Sequence, residues 1–201
     1  MTPRDSEVVY RLDRALPLTD AAWEGGGLQA AVLVAVTIEA EPRVLLGRRG
    51  RDLRLHPGEI AFPGGKREAV DPTPWATALR EAGEEVGLDD ALIHPLGELK
   101  PLVTRTGYEV QPCIAGMPSA HRLQVDSREF DHVFLEDLRV FAETKRFRLE
   151  SHYHKGRQRR VPCYAVDSGT VWGVTAAILA QLANVAYDAG LDWSGMQVEE
   201  R

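Results

Sequence analysis

Residues 64–88 read GGKREAVDPTPWATALREAGEEVGL, a glycine pair followed by a bounded amphipathic segment carrying three carboxylates. Apolar side chains recur at Trp75, Ala78, Leu79, Ala82 and Val86, the three- and four-residue spacing of one buried helical stripe. Thr73 stands at an N-cap position, Pro74 at the first helical position, and Gly87 where a left-handed residue ends a helix. The spacing therefore predicts a helix over 74–86. Its opposite side carries Arg80, Glu81, Glu84 and Glu85. Glu81 is three and four residues from the other two glutamates, so the three carboxylates project together. Like charges at that spacing cost about 0.2–0.5 kcal/mol per pair, and the C-terminal part of a helix disfavours anions further. Arg80 can answer Glu84 at the four-residue spacing, which leaves negative charge for another cation. Hard divalent ions such as Mg²⁺ take carboxylate oxygens. A solvated acidic face is the competing reading, and the surrounding sequence decides between them.

Ahead of the helix stands the tetrad Phe62, Pro63, Gly64, Gly65, followed by a short loop. Two glycines let a backbone approach another group closely or expose a carbonyl, which suits a phosphate or a metal ion at a glycine turn. With these residues in place, the segment resembles the signature box of the Nudix hydrolases. Arg80, Glu81, Ala82, Glu84, Glu85, Gly87 and Leu88 fill its second half residue by residue. In the first half, the usual glutamate position counted back from Arg80 holds Pro72, and the acid Asp71 comes one residue earlier. The preceding run LLGRRGRDLRLHPGEIAFPGG, residues 45–65, is similar to the added motif of the coenzyme A pyrophosphatase branch. Leu45, Leu46, Arg49, Arg54, Gly58 and the FPGG tetrad fit it, whereas Gly47 and Gly50 stand where Thr and Ser or Ala are expected.

The resemblance implies an α/β protein, the Nudix α/β/α sandwich with a mixed β-sheet, over about residues 28–186. It implies Mg²⁺ or Mn²⁺ as cofactor, held by Glu81, Glu85, Glu84 and the Gly65 carbonyl. Glu84 competes with Glu129 for the role of general base, and Arg80 orients a glutamate rather than touching substrate. Substrate contacts fall to Arg49, Arg54, Lys66 and Tyr108. The implied reaction is hydrolysis of a diphosphate linkage, with coenzyme A as the leading substrate. ADP-ribose or NADH, or nucleotide binding without turnover, are the alternatives. The partner is thus a small-molecule nucleotide, and a homodimer is common in the family.

Composition bounds the same picture. The 201 residues suit one globular domain with a real core. Residues 1–27 read as an extension with a short helix, 28–190 as the domain and 191–201 as a tail. With 24 basic against 30 acidic residues, the chain is not a general nucleic-acid binder held by charge. Cys113 and Cys163 lack metal-ligand spacing, and no signal sequence or long apolar run is visible. No membrane is expected, and a reducing cytoplasm is the expected compartment.

Along the chain, Val8, Val9, Leu12 and Leu16 predict a short packing helix, and the apolar run 28–38 predicts a buried central strand. A turn at 39–42 then gives a hairpin with 43–49. Arg48, Arg49, Arg51 and Arg54 form a basic loop able to grip a diphosphate through guanidinium forks, or merely to be solvated. His56 reads as a turn or packing residue rather than a ligand. Strands are expected over 91–99 and 109–116, with Tyr108 either stacking on an adenine or packing in the core. Glu129 is an extra metal ligand or base, or else a surface glutamate ahead of a short helix. A hairpin is expected over 147–154 and 160–166, around a basic turn with Lys155, Arg157, Arg159 and Arg160. A last helix runs from near Thr170 to Gly190, where Trp172 would anchor it and Gly173 permit close packing.

Overall fold

Strand β1 (Gln29–Thr37) is the near-continuous apolar run of the sequence, and Leu33, Val34, Ala35 and Val36 are wholly buried on its two faces, as a strand covered on both sides requires. In this computed structural model, which describes residues 2, 6–53, 55–154 and 157–193, with the backbone alone for 152–154 and 157–159, β1 lies within an eight-stranded mixed sheet. It pairs in parallel with β7 (Glu109–Met117), from Gln29 opposite Glu109 to Thr37 opposite Met117. β7 carries β5 (His94–Glu98) and β6 (Leu102–Val103) antiparallel on its far edge. The other edge of β1 is divided. β2 (Arg43–Arg49) closes the expected hairpin with Val44 opposite Val36, and β4 (Gly64–Lys66) lies antiparallel along Ala30, Ala31 and Val32. β2 also pairs with β3 (Ile60–Ala61) and β8 (Phe130–Asp137).

Alternation along β1 makes two cores. Ala31, Leu33 and Ala35 pack with Trp75, Ala78, Ala82 and Val86 of α2 (Pro74–Val86). Val34 and Val36 belong to the other core, with Val9 and Leu12 of α1 (Glu7–Ala15) and Ile178 and Leu182 of α3 (Gly173–Tyr187). Helices thus cover both faces of a mixed sheet, giving the α/β/α sandwich. A second, three-stranded sheet of β9 (Phe147–His154), β10 (Arg157–Val166) and β11 (Gly169–Trp172) adds Tyr164 and Val171 to the α3 side. Helix α2 has the predicted ends: the Thr73 side chain accepts from the Ala76 amide, Pro74 opens the helix, and Gly87 is left-handed at φ 66°. Among the described residues, no helix is long and apolar enough to cross a membrane. Cys113 and Cys163 are buried and unpaired.

Several expectations are corrected. The predicted strand 91–99 begins instead with a 3₁₀ turn at Asp90–Leu92, because the Asp89 carboxylate caps the Ala91 amide at 3.0 Å; the strand proper starts at His94. Glu129 precedes strand β8 rather than a short helix. The segment 169–172 is strand β11, pairing with β10, so the last helix starts at Gly173 and ends at Tyr187. Trp172 is 39% exposed at the end of that strand and does not anchor the helix in the core. A Cβ on Gly173 would meet nothing within 4 Å, so this glycine serves a backbone turn at φ 68° rather than close packing. Gly64 and Gly65 lie in a strand, not a turn: a Cβ on Gly64 would overlap the β1 backbone at Ala31 and Val32, so the close approach that Gly64 permits is to β1 itself. His56 is the turn residue expected, left-handed at φ 56° and paired with Glu59 at 3.0 Å. Of the basic turn, Lys155 lies outside the described residues, as do the side chains of Arg157 and Arg159; Arg160 is exposed.

The departure at Gly47 has a steric reason. A Cβ there would overlap the ring of Phe130, which is wholly buried across the β2/β8 pair. Gly47→Ala is expected to destabilise the fold by about 1–3 kcal/mol, the usual cost of overpacking. Urea unfolding checks this, and an unchanged midpoint would contradict it. Nothing in the structure explains Gly50, where a Cβ would make only ordinary contacts.

Candidate active site

The strand order carries β4 across the face that α2 covers, and this brings the glycine pair under the acidic side of the helix. The Gly64 amide donates to Glu85 Oε2 at 2.9 Å. One residue on, a Cβ at Gly65 would overlap the Glu81 carboxylate, so a side chain there would displace it. The three glutamates therefore do not project together as expected. Glu81 and Glu85, one helical turn apart, turn toward β4, and Glu85 is only 6% exposed. Glu84 points away with its side chain 63% exposed.

Burial governs the electrostatics. Desolvation is the chief reason that the Glu85 carboxyl is pushed up to about 8, against the partial relief of the Gly64 amide. The charges of Glu81 and Glu129 push it the same way, and Arg49 opposes them. Glu81 is likewise raised above the usual carboxylate range, first by burial. Two adjacent carboxylates that resist ionisation together want a cation between or beside them.

Arg80 fills that need only in part, reaching Glu81 but not Glu85, because most of its donors are committed elsewhere. Its Nε and NH2 groups donate to the two oxygens of Asp71 at 3.1 and 2.9 Å. Further donations reach Glu81 Oε1 at 3.1 Å, Glu84 Oε2 at 3.2 Å and the Lys66 carbonyl at 3.2 Å. Asp71 is buried and also accepts from Thr77 Oγ1 and the Glu68 amide. The Arg80 guanidinium, first among these partners, holds the Asp71 carboxyl below its usual range. Arg80 thus donates to two glutamates, and the displaced acid at 71 is its anchor.

Glu129 pairs with Arg49 at 3.2 Å, near enough to Glu85 for both charges to act on it. Arg49 is accordingly beside the acidic pair, but its guanidinium already has a carboxylate partner. Lys66 and Tyr108 stand together one residue beyond Gly65, with Lys66 Nζ 5.2 Å from the tyrosine ring centroid. Tyr108 is half-buried and lines a cleft of about 250 Å³, so it does not pack in the core. Arg54 lies outside the described residues. The structure hence gathers Gly65, Glu81, Glu85, Arg80, Arg49 and Glu129 around β4, with Glu84 tied on only through Arg80 and with Lys66 and Tyr108 adjoining.

As the side chains lie, no three His, Cys, Asp or Glu groups among the described residues converge to hold an ion; Glu84 is turned to Arg80. The donor set nevertheless fits a hard divalent cation, since it is all oxygen and includes two carboxylates, one partly and one almost wholly buried, that burial holds above their usual range. Glu81 and Glu85, beside Gly64 and Gly65, are the residues that could hold it.

Residues 27–161 match the NUDIX domain. The chain belongs to the Nudix family. Its Nudix relatives include the uncharacterized Nudix hydrolase NudL of Photorhabdus laumondii, 34% identical over 178 residues, covering 89% of this chain and 95% of that protein. NudL of Yersinia pestis is 33% identical over 184 residues, covering 89% and 92%. The crystal structure of a MutT/nudix family protein from Enterococcus faecalis superposes with a TM-score of 0.53 at 16% identity, over 85% of this chain and 66% of that one, a likeness of fold. Within this Nudix chain, sequence reading missed the Asp71 anchor and the Gly64 amide on Glu85. The first had a signal in the displaced acid; the second depends on a strand pairing that no local pattern announces.

Proposed function

We propose that this Nudix protein is a divalent-metal-dependent diphosphatase whose preferred substrate is coenzyme A or an acyl-CoA. The products are phosphopantetheine, or its acyl derivative, and adenosine 3',5'-bisphosphate. The observation that carries the hydrolytic reading is the pair Glu81 and Glu85, turned to the glycine strand with carboxyls that burial raises above their usual range. A Mg²⁺ or Mn²⁺ ion bound there supplies neutralisation of the diphosphate and a more acidic water. Arg80, fixed by Asp71, holds Glu81 and Glu84 in place. Glu84 and Glu129 are the carboxylates with room to take a proton from water, being 63% and 39% exposed. Arg49 lies where a diphosphate oxygen would compete with Glu129 for its guanidinium, and Lys66 and Tyr108 meet the nucleoside end.

The preference for coenzyme A is supported by the motif over residues 45–65 together with Asp71, one residue ahead of the usual glutamate position. Two unpaired cysteines suit a reducing cytoplasm. The test is a substrate panel of coenzyme A, acyl-CoA, ADP-ribose, NADH, dinucleoside polyphosphates and nucleoside triphosphates with Mg²⁺ or Mn²⁺. Coenzyme A or its acyl form is expected to show the highest kcat/KM. Preference for ADP-ribose or a triphosphate would overturn the substrate, and nucleotide binding without product under any divalent ion would make the protein a binding module.

A further inference from the structure

β4 leads from the acidic pair straight into the cleft at Tyr108. Gly64 meets Glu85, Gly65 meets Glu81, and Lys66 and Arg67 come next and line the opening. At about 3.3 Å per residue, the cleft starts within reach of a group esterified to a diphosphate seated at the glutamates. Its volume of about 250 Å³ falls below the roughly 300–1,000 Å³ that takes a whole drug-sized ligand, so it receives one end of a substrate.

The lining says which end. Lys66 and Arg67 contribute two cations, and no carboxylate among the described residues lines the cleft. Arg67 is aimed rather than loose: its NH1 donates to Gln29 Oε1 at 2.8 Å, its guanidinium lies 5.8 Å from the Trp23 ring centroid, and Gln29 is itself held by the Glu24 carbonyl at 2.7 Å. Tyr108 offers an aromatic face to a nucleobase. A second cleft of about 300 Å³ has the opposite character, lined among the described residues by Glu59, Glu150 and Trp172 and by no Lys or Arg. A phosphomonoester dianion is drawn to the first and repelled by the second.

Resting on the diphosphatase reading, we infer that Lys66 and Arg67, beside Tyr108, form a subsite for a nucleoside carrying a second, monoester phosphate on its ribose, and that this subsite makes the protein prefer 3'-phosphorylated adenosine to adenosine without that phosphate. Lys66 supplies a movable point charge, and Arg67, held by Gln29, supplies a directed fork.

The test is equilibrium binding, which needs no turnover. Adenosine 3',5'-bisphosphate and adenosine 5'-monophosphate are titrated calorimetrically into the full chain, into Lys66→Gln and into Arg67→Gln, with thermal melting to confirm that each variant is folded. The wild type is expected to bind the bisphosphate at least tenfold more tightly, and each variant to bring the ratio of the two affinities severalfold closer to one. Lys66→Arg is expected to retain most of the preference. Equal affinity of the wild type for the two nucleotides, or a preference that survives both Gln variants, overturns the inference. A preference that depends on these residues in a protein that does not hydrolyse coenzyme A keeps the subsite and refutes the substrate. Coenzyme A hydrolysis without such a preference keeps the substrate and refutes the subsite.

Discussion

Glu85→Gln is expected to reduce turnover of the preferred diphosphate by on the order of 10²–10³-fold, the scale on which loss of a preorganised electrostatic group acts. The substitution removes one charge and almost no volume. The amide oxygen of glutamine can still accept from Gly64, so the contact that positions the side chain at 2.9 Å survives. The loss therefore falls on the charge that would hold a cation and not on the fold. Glu84→Gln serves as the comparison, because Glu84 is 63% exposed and tied to Arg80. Its effect separates a role as base from a role as ligand through the pH profile of kcat. Steady-state rates with saturating Mg²⁺ check both, and an unaltered rate in Glu85→Gln would remove it from the metal site.

The second large effect is on stability, and its sign follows from burial. Glu85 has a carboxyl pushed up to about 8 in the fold against an ordinary 4.5, so between those values the folded protein binds more protons than the unfolded chain. Stability then falls as pH rises. The loss begins near pH 4.5 and is complete above about pH 8; at 1.36 kcal/mol per unit it amounts to on the order of 3–5 kcal/mol. In chelator-treated protein, the melting temperature is expected to drop by on the order of 10 °C across this window. Glu85→Gln is expected to abolish most of that drop and to melt above the wild type at pH 8. Mn²⁺ or Mg²⁺ should restore the wild type at pH 8 and leave the variant little changed. A wild-type melting temperature that is flat from pH 5 to pH 8 without metal would show that Glu85 is not strained by burial.

Helix α2 was legible in the sequence because everything that defines it is local. The stripe of Trp75, Ala78, Ala82 and Val86, the Thr73 cap and Gly87 all lie within one segment, and each behaves as its residue type predicts. β1 was legible for the related reason that an apolar run of that length must be covered on two faces. Features set by distant partners were not. Gly47 makes sense only beside Phe130, which comes from another strand. Gly64 and Gly65 suggested a turn, because their strand conformation depends on β1 lying against them. Glu85 counts as polar in any periodicity, yet it is buried because β4 closes over the acidic side of the helix at that point. The acidic face was thus visible as chemistry, whereas its division into a buried pair and an exposed third member, and the commitment of Arg80 to Asp71, came from packing.

On the proposed function, Glu81 and Glu85 on the glycine strand hold a divalent cation. Calorimetric titration of Mn²⁺ at pH 7.5 into the wild type and into the double variant Glu81→Gln, Glu85→Gln tests it most directly. Binding to the wild type that is lost from a folded double variant is the predicted result. Equal binding by the two proteins would contradict it.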